Sequence, residues 1–473
     1  MLRAEIILDR DFEIGAVDRR LFGTFVEHLG RCVYGGIFEP GHPSADARGF
    51  RGDVIKLVRE LGTTIVRYPG GNFVSGYNWE DGVGALASRP ARLDLAWRSI
   101  EPNRFGTDEF IDWCRAAEVE PMLVVNLGTR GPDAARNLVE YCNFSAGTAL
   151  SDLRHAHGHA PPHRVKLWCL GNEMDAPWQM GAKTAAEYGR IAAEAAKLMK
   201  WVDPSIELVT CGSSNPHMPS FGAWEHEVLG HTLPHVEHIA LHSYFGNRSG
   251  DTATFLASAD LMDRYIKEVV AIADGVAAQL RSPRRIMICF DEWNILYRTD
   301  DAARREKLDW SVAPALIEEI YNMEDALVVG GALITLLNNA DRVRVACLAQ
   351  LVNVIAPIMA ERGGPAWRQA IFHPFAQVAR LGKGRSLRAG LRSPSYATGE
   401  VGEVAYLLLA AVHDPATEGL ALFAVNRSLC EPLQIDLALR AFTKLGGVSL
   451  SNGRLGATLK PASWNVIQLA PAQ

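Results

Sequence analysis

Lys166-Leu-Trp-Cys-Leu-Gly-Asn-Glu173 and Ile286-Met-Ile-Cys-Phe-Asp-Glu292 are short apolar runs that each close on a glutamate. Runs of this length bounded by turn residues read as buried strands. In a closed barrel of parallel strands, functional groups stand at the C-terminal strand ends, so both glutamates would face the mouth. Similar runs recur at 21–26, 64–67, 121–125, 165–170, 207–210, 238–241, 286–290 and 332–337, with helical segments between them. Alternation of this kind predicts βα units, and eight of them predict a closed (β/α)8 TIM barrel. A doubly wound open sheet is the rival, but it normally carries a Gly-rich phosphate turn, and neither G-x-G-x-x-G nor a P-loop occurs.

The helical rhythm stops after Phe375. Short segments such as Val404-Ala-Tyr-Leu-Leu-Leu, Leu420-Ala-Leu-Phe-Ala-Val and Trp464-Asn-Val-Ile-Gln-Leu follow, separated by Gly, Pro, Asn and Asp. They predict a smaller, jelly-roll-like β-sandwich. The expected organisation is an N-terminal strand within 1–15 that joins the sandwich, a barrel over 16–375, and the sandwich over 376–473.

At 473 residues and 48% hydrophobic content the chain can bury a large core. A formal charge of -6 leaves no basic field for nucleic acid. The start, Met1 to Arg10, mixes charges of both signs and lacks the apolar segment of a secretory leader. The longest apolar stretch, 326–337, is too short to cross a bilayer. A cytoplasmic protein that touches neither membrane nor nucleic acid is expected. The eight cysteines include no Cys-x-x-Cys pair and read as reduced core thiols, so the sequons at Asn143, Asn247 and Asn426 read as chance matches.

Each predicted strand is followed by a polar group: Glu27, Asn72, Asn126, Asn172 with Glu173, Ser213, His242 with Tyr244, Glu292, and Asn338. Together they predict a polar, ligand-binding mouth. Two carboxyl groups suit acetal cleavage, where one protonates the leaving oxygen and the other meets the oxocarbenium-like centre. Asn172 places an amide beside Glu173, and Trp178 and Trp293 add aromatic rings near the two acids, although buried Trp packing is the commoner use of any one such ring. The residues alone do not order the two roles. His155-Ala-His-Gly-His with His163 could suggest a metal, but no carboxylate cluster adjoins it in sequence, so a solvated loop and no metal are expected. Asp300-Asp301 with Arg304-Arg305 reads as a charged loop at the cleft rim.

Five motifs then stand out in order: Phe25-Val-Glu-His-Leu-Gly-Arg-Cys-Val-Tyr-Gly-Gly, Arg67-Tyr-Pro-Gly-Gly-Asn-Phe-Val-Ser-Gly-Tyr-Asn-Trp, Gly171-Asn-Glu-Met-Asp, Asp291-Glu-Trp-Asn and Ala349-Gln-Leu-Val-Asn. Together they resemble α-L-arabinofuranosidases of glycoside hydrolase family 51, from about residue 15 into the C-terminal domain. The resemblance implies a barrel with a β-sandwich and a retaining, cofactor-free exo-hydrolase. Such an enzyme removes terminal arabinofuranosyl residues from arabino-oligosaccharides. It further implies that Glu173 is the acid/base and Glu292 the nucleophile, and that Glu27, Asn72, Asn172, Tyr244 and Gln350 hold the sugar. His242 would line the site near Glu292, with Trp97 and Trp178 around the sugar and leaving group. A homohexamer is the implied assembly. Rival readings are an endoglucanase or β-xylosidase on the same barrel, or a non-catalytic sugar-binding barrel. Two departures stand out: the segment between Phe442 and Trp464 is shorter than usual, and Phe245 occupies a position where a second tyrosine is frequent.

Overall fold

The computed structural model describes residues 1–297, 309–442, 445–446 and 453–471. Eight parallel strands close into a barrel: Gly23–Phe25, Ile65–Tyr68, Glu120–Val125, Leu167–Leu170, Glu207–Cys211, His238–Phe245, Met287–Ile295 and Val343–Ala349. They are strands one to eight below, and the eighth pairs back onto the first through Ala349 and Phe25. The helices between them carry local signals that explain their ends. Thr184 caps Ala185–Val202 in a reciprocal box with Glu187. In Thr107–Ala117 the cap is Gly106, whose N–H donates to Glu109, while Thr107 is already helical.

The expected eighth strand is a correction. Residues 332–337 lie inside the helix Met323–Asn338, capped by the Asn322 side chain. This helix packs between the barrel and the C-terminal sheet, so tightly that a Cβ on Gly330 would lie 2.6 Å from the Trp464 ring. Buried on nearly every side, it shows no helical period and reads as a continuous apolar run. The true eighth strand ends at Ala349, and Gln350 replaces Asn338 as the polar group after it.

The second unit is one eight-stranded sheet curled around its own core, which includes Ile6, Leu409, Leu422, Leu437 and Leu455. The N-terminal strand Leu2–Ala16 lies inside this sheet, antiparallel to Arg385–Arg392 and parallel to Leu433–Arg440. Its buried Ala4, Ile6 and Leu8 alternate with exposed neighbours, as the strand period requires. On Leu407–Asp414 and Gly419–Asn426, alternate residues such as Val412 and Phe423 join the barrel's core instead. Those two strands therefore serve two cores and read as unbroken apolar runs. Part of the shortened segment before Trp464, and the charged loop 300–305, lie outside the described residues. All eight cysteines are free and all but Cys430 are buried. No helix among the described residues is long and apolar enough to cross a membrane.

Strand seven contains the irregularity that matters most for the mouth. Against strand six its register runs from Cys289 with Ala240 to Glu292 with His242, three residues on one strand facing two on the other. Regular alternation would send Asp291 and Glu292 to opposite faces, whereas the bulge re-aims the chain so that both carboxylates meet Arg67 inside the barrel.

Candidate active site

Strand four ends at Leu170, and the chain turns through left-handed backbone at Gly171 (φ 89°) and Glu173 (φ 45°). A non-glycine residue rarely accepts that conformation, and it persists where the surroundings enforce it. Here the Glu173 carboxylate is held by two rings: Trp178 donates from Nε1 at 2.7 Å, and His242 Nδ1 lies 3.0 Å away. Across the mouth Glu292 accepts from Arg67 at 2.8 Å and from the Tyr244 hydroxyl at 2.9 Å. One oxygen each of Glu173 and Glu292 and one nitrogen of His242 all lie within 4.8 Å of one another.

Arg67 fixes this arrangement from beneath. Its Nε stands 2.8 Å from Asp291, one terminal nitrogen donates to Glu292, and the other donates to Asn172 at 2.7 Å. The planar fork thus locks groups from strands four and seven in one plane of donors. Neither Arg67 nor Asp291 was singled out as a site residue from the sequence. The available signal was a cation inside the second apolar run, because a buried guanidinium requires carboxylate partners.

Burial would lower His242, but Glu292, Asp291 and Glu173 surround its ring and hold it well above the ordinary imidazole value. Burial raises Glu292, against the pull of His242 and Arg67. An imidazolium at His242 and the Arg67 guanidinium together match the charges of Asp291 and Glu292.

Glu27, after strand one, forms the opposite wall. It accepts from the Phe73 amide at 2.9 Å, Trp97 Nε1 at 2.8 Å and Gln350 Nε2 at 3.0 Å. Burial pushes its carboxyl up to about 8, with the Phe73 N–H opposing and Glu292 adding to the rise. The two glycines after strand two let these acids approach. A Cβ on Gly70 would lie 2.3 Å from Glu27 Cγ, and one on Gly71 would lie 3.2 Å from Glu27 and 3.3 Å from Glu292.

The structure thus gathers Glu27, Trp97, Asn172, Glu173, Trp178, His242, Tyr244, Glu292 and Gln350 around one mouth. Asn72 stands at the start of the turn Phe73–Gly76 beside Gly71, and its side chain bonds none of these groups among the described residues. Other strand-end groups expected at the mouth act elsewhere. Asn126 braces its own loop through Gly128, Thr129 and Tyr77, and Asn338 donates to Leu409 O on the C-terminal sheet. The histidine-rich loop does meet a carboxylate, contrary to the sequence reading, because Asp108 arrives from another helix: His163 Nε2 lies 3.0 Å and His159 Nε2 3.9 Å from it. Arg115 donates to His163 Nδ1, which leaves Nε2 as the protonated nitrogen that bonds Asp108 and unavailable to a metal.

Residues 57–265 match the family described as α-L-arabinofuranosidase 1 domain, and residues 291–461 match α-L-arabinofuranosidase C-terminal domain. The chain is 52% identical to an intracellular exo-α-(1→5)-L-arabinofuranosidase of Halalkalibacterium halodurans, covering 99% of both chains. It is 50% identical to one from Bacillus subtilis at the same coverage. Among solved structures, a family 51 α-L-arabinofuranosidase from Bifidobacterium longum superposes with a TM-score of 0.94 at 41% identity, covering 99% of this chain and 100% of that one.

Proposed function

Since the chain belongs to the α-L-arabinofuranosidases of glycoside hydrolase family 51, exo-acting and retaining enzymes, we propose that Glu292 is its nucleophile and Glu173 its acid/base. Glu292 attacks the anomeric carbon while Glu173 gives its proton to the departing oxygen. Glu173 then takes a proton from water, which breaks the glycosyl ester and returns the acid. The observation that carries the double-displacement reading is the separation of the acids, while the order of the two roles comes from the resemblance of Gly171-Asn-Glu-Met-Asp and Asp291-Glu-Trp-Asn to the family's motifs. Retaining pairs stand about 5 Å apart and inverting pairs roughly 6.5–9.5 Å apart to admit a water, and a Glu173–Glu292 oxygen pair lies within 4.8 Å.

Glu292, with Arg67 donating to Oε1 and Tyr244 to Oε2, has donors suited to its ionised form. Trp178 and His242 orient Glu173 toward it. Glu27 with Gln350, and the buried Asn172 Nδ2 that has no protein partner among the described residues, offer acceptors and a donor to furanose hydroxyls. Trp97, donating to Glu27, walls the same side. Asn72, beside Gly71, belongs to this set as a further hydroxyl partner.

The substrates we assign are short α-1,5-linked arabino-oligosaccharides met in the cytoplasm, in line with the names of the two bacterial relatives. No cofactor or metal takes part. A homohexamer is the assembly we assign, and exposed Ile320 and Met323 provide apolar surface for it. The test is a comparison of initial rates on nitrophenyl α-L-arabinofuranoside and β-D-xyloside, with arabinobiose linkage isomers alongside. Arabinofuranoside turnover far above xyloside turnover, with 1,5-linked dimers preferred, is expected. The reverse order on the aryl glycosides overturns the assignment.

A further inference from the structure

Beyond Glu173 the mouth does not close. A groove of about 680 Å3 leaves Glu173 and Trp178, passes between the loop after strand five and the end of strand six, and follows the helix Ser258–Gln279. It ends at Glu400. Glu400 belongs not to the barrel but to the turn between Ser395–Thr398 and Gly402–Ala405, a hairpin at the margin of the C-terminal sheet. That hairpin is fastened to the barrel at two points. Tyr396 donates its hydroxyl to Ala253 O at 3.0 Å, and Arg264 donates to Val401 O at 3.2 Å. The turn that carries Glu400 is therefore held as one wall of the groove that the acid/base also lines.

The groove's size and chemistry identify its occupant. Pockets of roughly 300–1,000 Å3 enclose whole drug-sized ligands, so this space exceeds the needs of one departing sugar. Its near end has the half-exposed indole of Trp178, which offers a flat apolar face. Farther along, His217, Arg248, Glu268 and Glu400 line it, and none of these forms an ion pair among the described residues. Mixed signs at close range give no net field for an anionic ligand, yet they supply charged donors and acceptors suited to hydroxyl groups. A neutral polyhydroxylated chain fits such a lining, whereas a uronate or phosphate would meet carboxylates as often as guanidinium groups.

We propose that this groove seats at least two further sugar units beyond the scissile bond, and that the C-terminal hairpin, through Glu400 facing the Glu268 helix, makes the enzyme read the length of its leaving group. The inference rests on the activity assigned above and adds to it the region that selects oligosaccharides over dimers. It also gives the C-terminal sheet a part in substrate choice.

The experiment uses the full-length enzyme and its Glu268→Ala/Glu400→Ala double variant, with Arg264→Ala as a second variant that removes both the hairpin's tie through Val401 O and a groove-lining guanidinium while keeping both carboxylates. For each protein, kcat/KM on α-1,5-arabinobiose, arabinotriose and arabinotetraose is divided by the same protein's kcat/KM on nitrophenyl α-L-arabinofuranoside, so that any loss of folded enzyme cancels. In the parent enzyme this ratio is expected to rise by about 5- to 20-fold from biose to tetraose, as one or two charge-assisted hydrogen bonds are added. In the double variant it is expected to flatten, with Arg264→Ala between. A flat parent series, or a double variant that keeps the full rise, overturns the proposal. Failure of the parent enzyme on the aryl arabinofuranoside overturns the assigned activity itself, and the length reading with it.

Discussion

Glu27→Gln tests whether the wall opposite the catalytic pair is held at an energetic cost. Glu27 is fully enclosed and its carboxyl titrates at about 8 in the folded protein instead of the ordinary 4.5. Between those values the unfolded chain has released a proton that the folded protein keeps. The unfolded state binds fewer protons in that window, so stability falls as pH rises through it and levels off above the folded value. Integrated from pH 5 to pH 8, with 1.36 kcal/mol per unit of pKa shift, the loss is roughly 3–4 kcal/mol. A glutamine cannot ionise and escapes this loss. Its oxygen can still accept from the Phe73 amide and Trp97, and its amide nitrogen meets Gln350 if that side chain flips, at the expense of the long 3.3 Å bond from the Glu27 N–H to Gln350. Guanidinium unfolding followed by tryptophan fluorescence would compare the two proteins at pH 5, 6.5 and 8, where every other titrating group cancels in the difference. The variant is expected to match or fall slightly below the parent at pH 5 and to gain steadily on it toward pH 8, while kcat/KM on the aryl arabinofuranoside drops. A stability gap that stays constant with pH, or that favours the parent increasingly as pH rises, refutes the reasoning.

Arg67→Met would leave Asp291 and Glu292 buried without their cation, a change that costs roughly 3–5 kcal/mol, and denaturant unfolding should show it together with loss of turnover. Gly70→Ala forces a Cβ to within 2.3 Å of Glu27 at a φ of 139°, so kcat/KM should fall by about 100-fold or more through displacement of that wall. Gly41→Ala, where φ is 92° and nothing lies within 4 Å, is the control and should leave the rate unchanged. His242→Gln removes the cation that faces three carboxyl groups, and kcat is expected to fall by about 100-fold with a smaller change in KM. The alkaline limb of the parent's pH–rate profile should change shape in that variant.

Seven barrel strands and both catalytic candidates are legible because short apolar runs ended by polar residues carry a local signal. The eighth strand is not legible in the same way. Residues 332–337 are enclosed by the barrel on one side and the sheet on the other, and a helix with no wet face has no period to read. The remaining omissions share a different cause. Asp291 sits next to Glu292, and strict alternation would exclude it from the site, because the strand-seven bulge is a property of pairing that leaves no mark in composition. Asp108 joins His159 and His163 across more than 50 residues of chain, a proximity that depends on how the histidine-rich loop packs against the helix Thr107–Ala117. Local chemistry therefore located the mouth, while the groups that fix its charge, Arg67 and Asp291, emerged from tertiary contacts.

The central claim is the division of labour between Glu173 and Glu292. The most direct measurement is azide rescue of Glu173→Ala and Glu292→Ala, using an aryl α-L-arabinofuranoside with a good leaving group and NMR assignment of the glycosyl azide formed. An azide of retained configuration is expected from Glu173→Ala, where the nucleophile is intact. From Glu292→Ala an azide of inverted configuration is expected, where azide attacks in the carboxylate's place. Opposite configurations, or full hydrolysis by Glu292→Ala without azide, would contradict that division of labour.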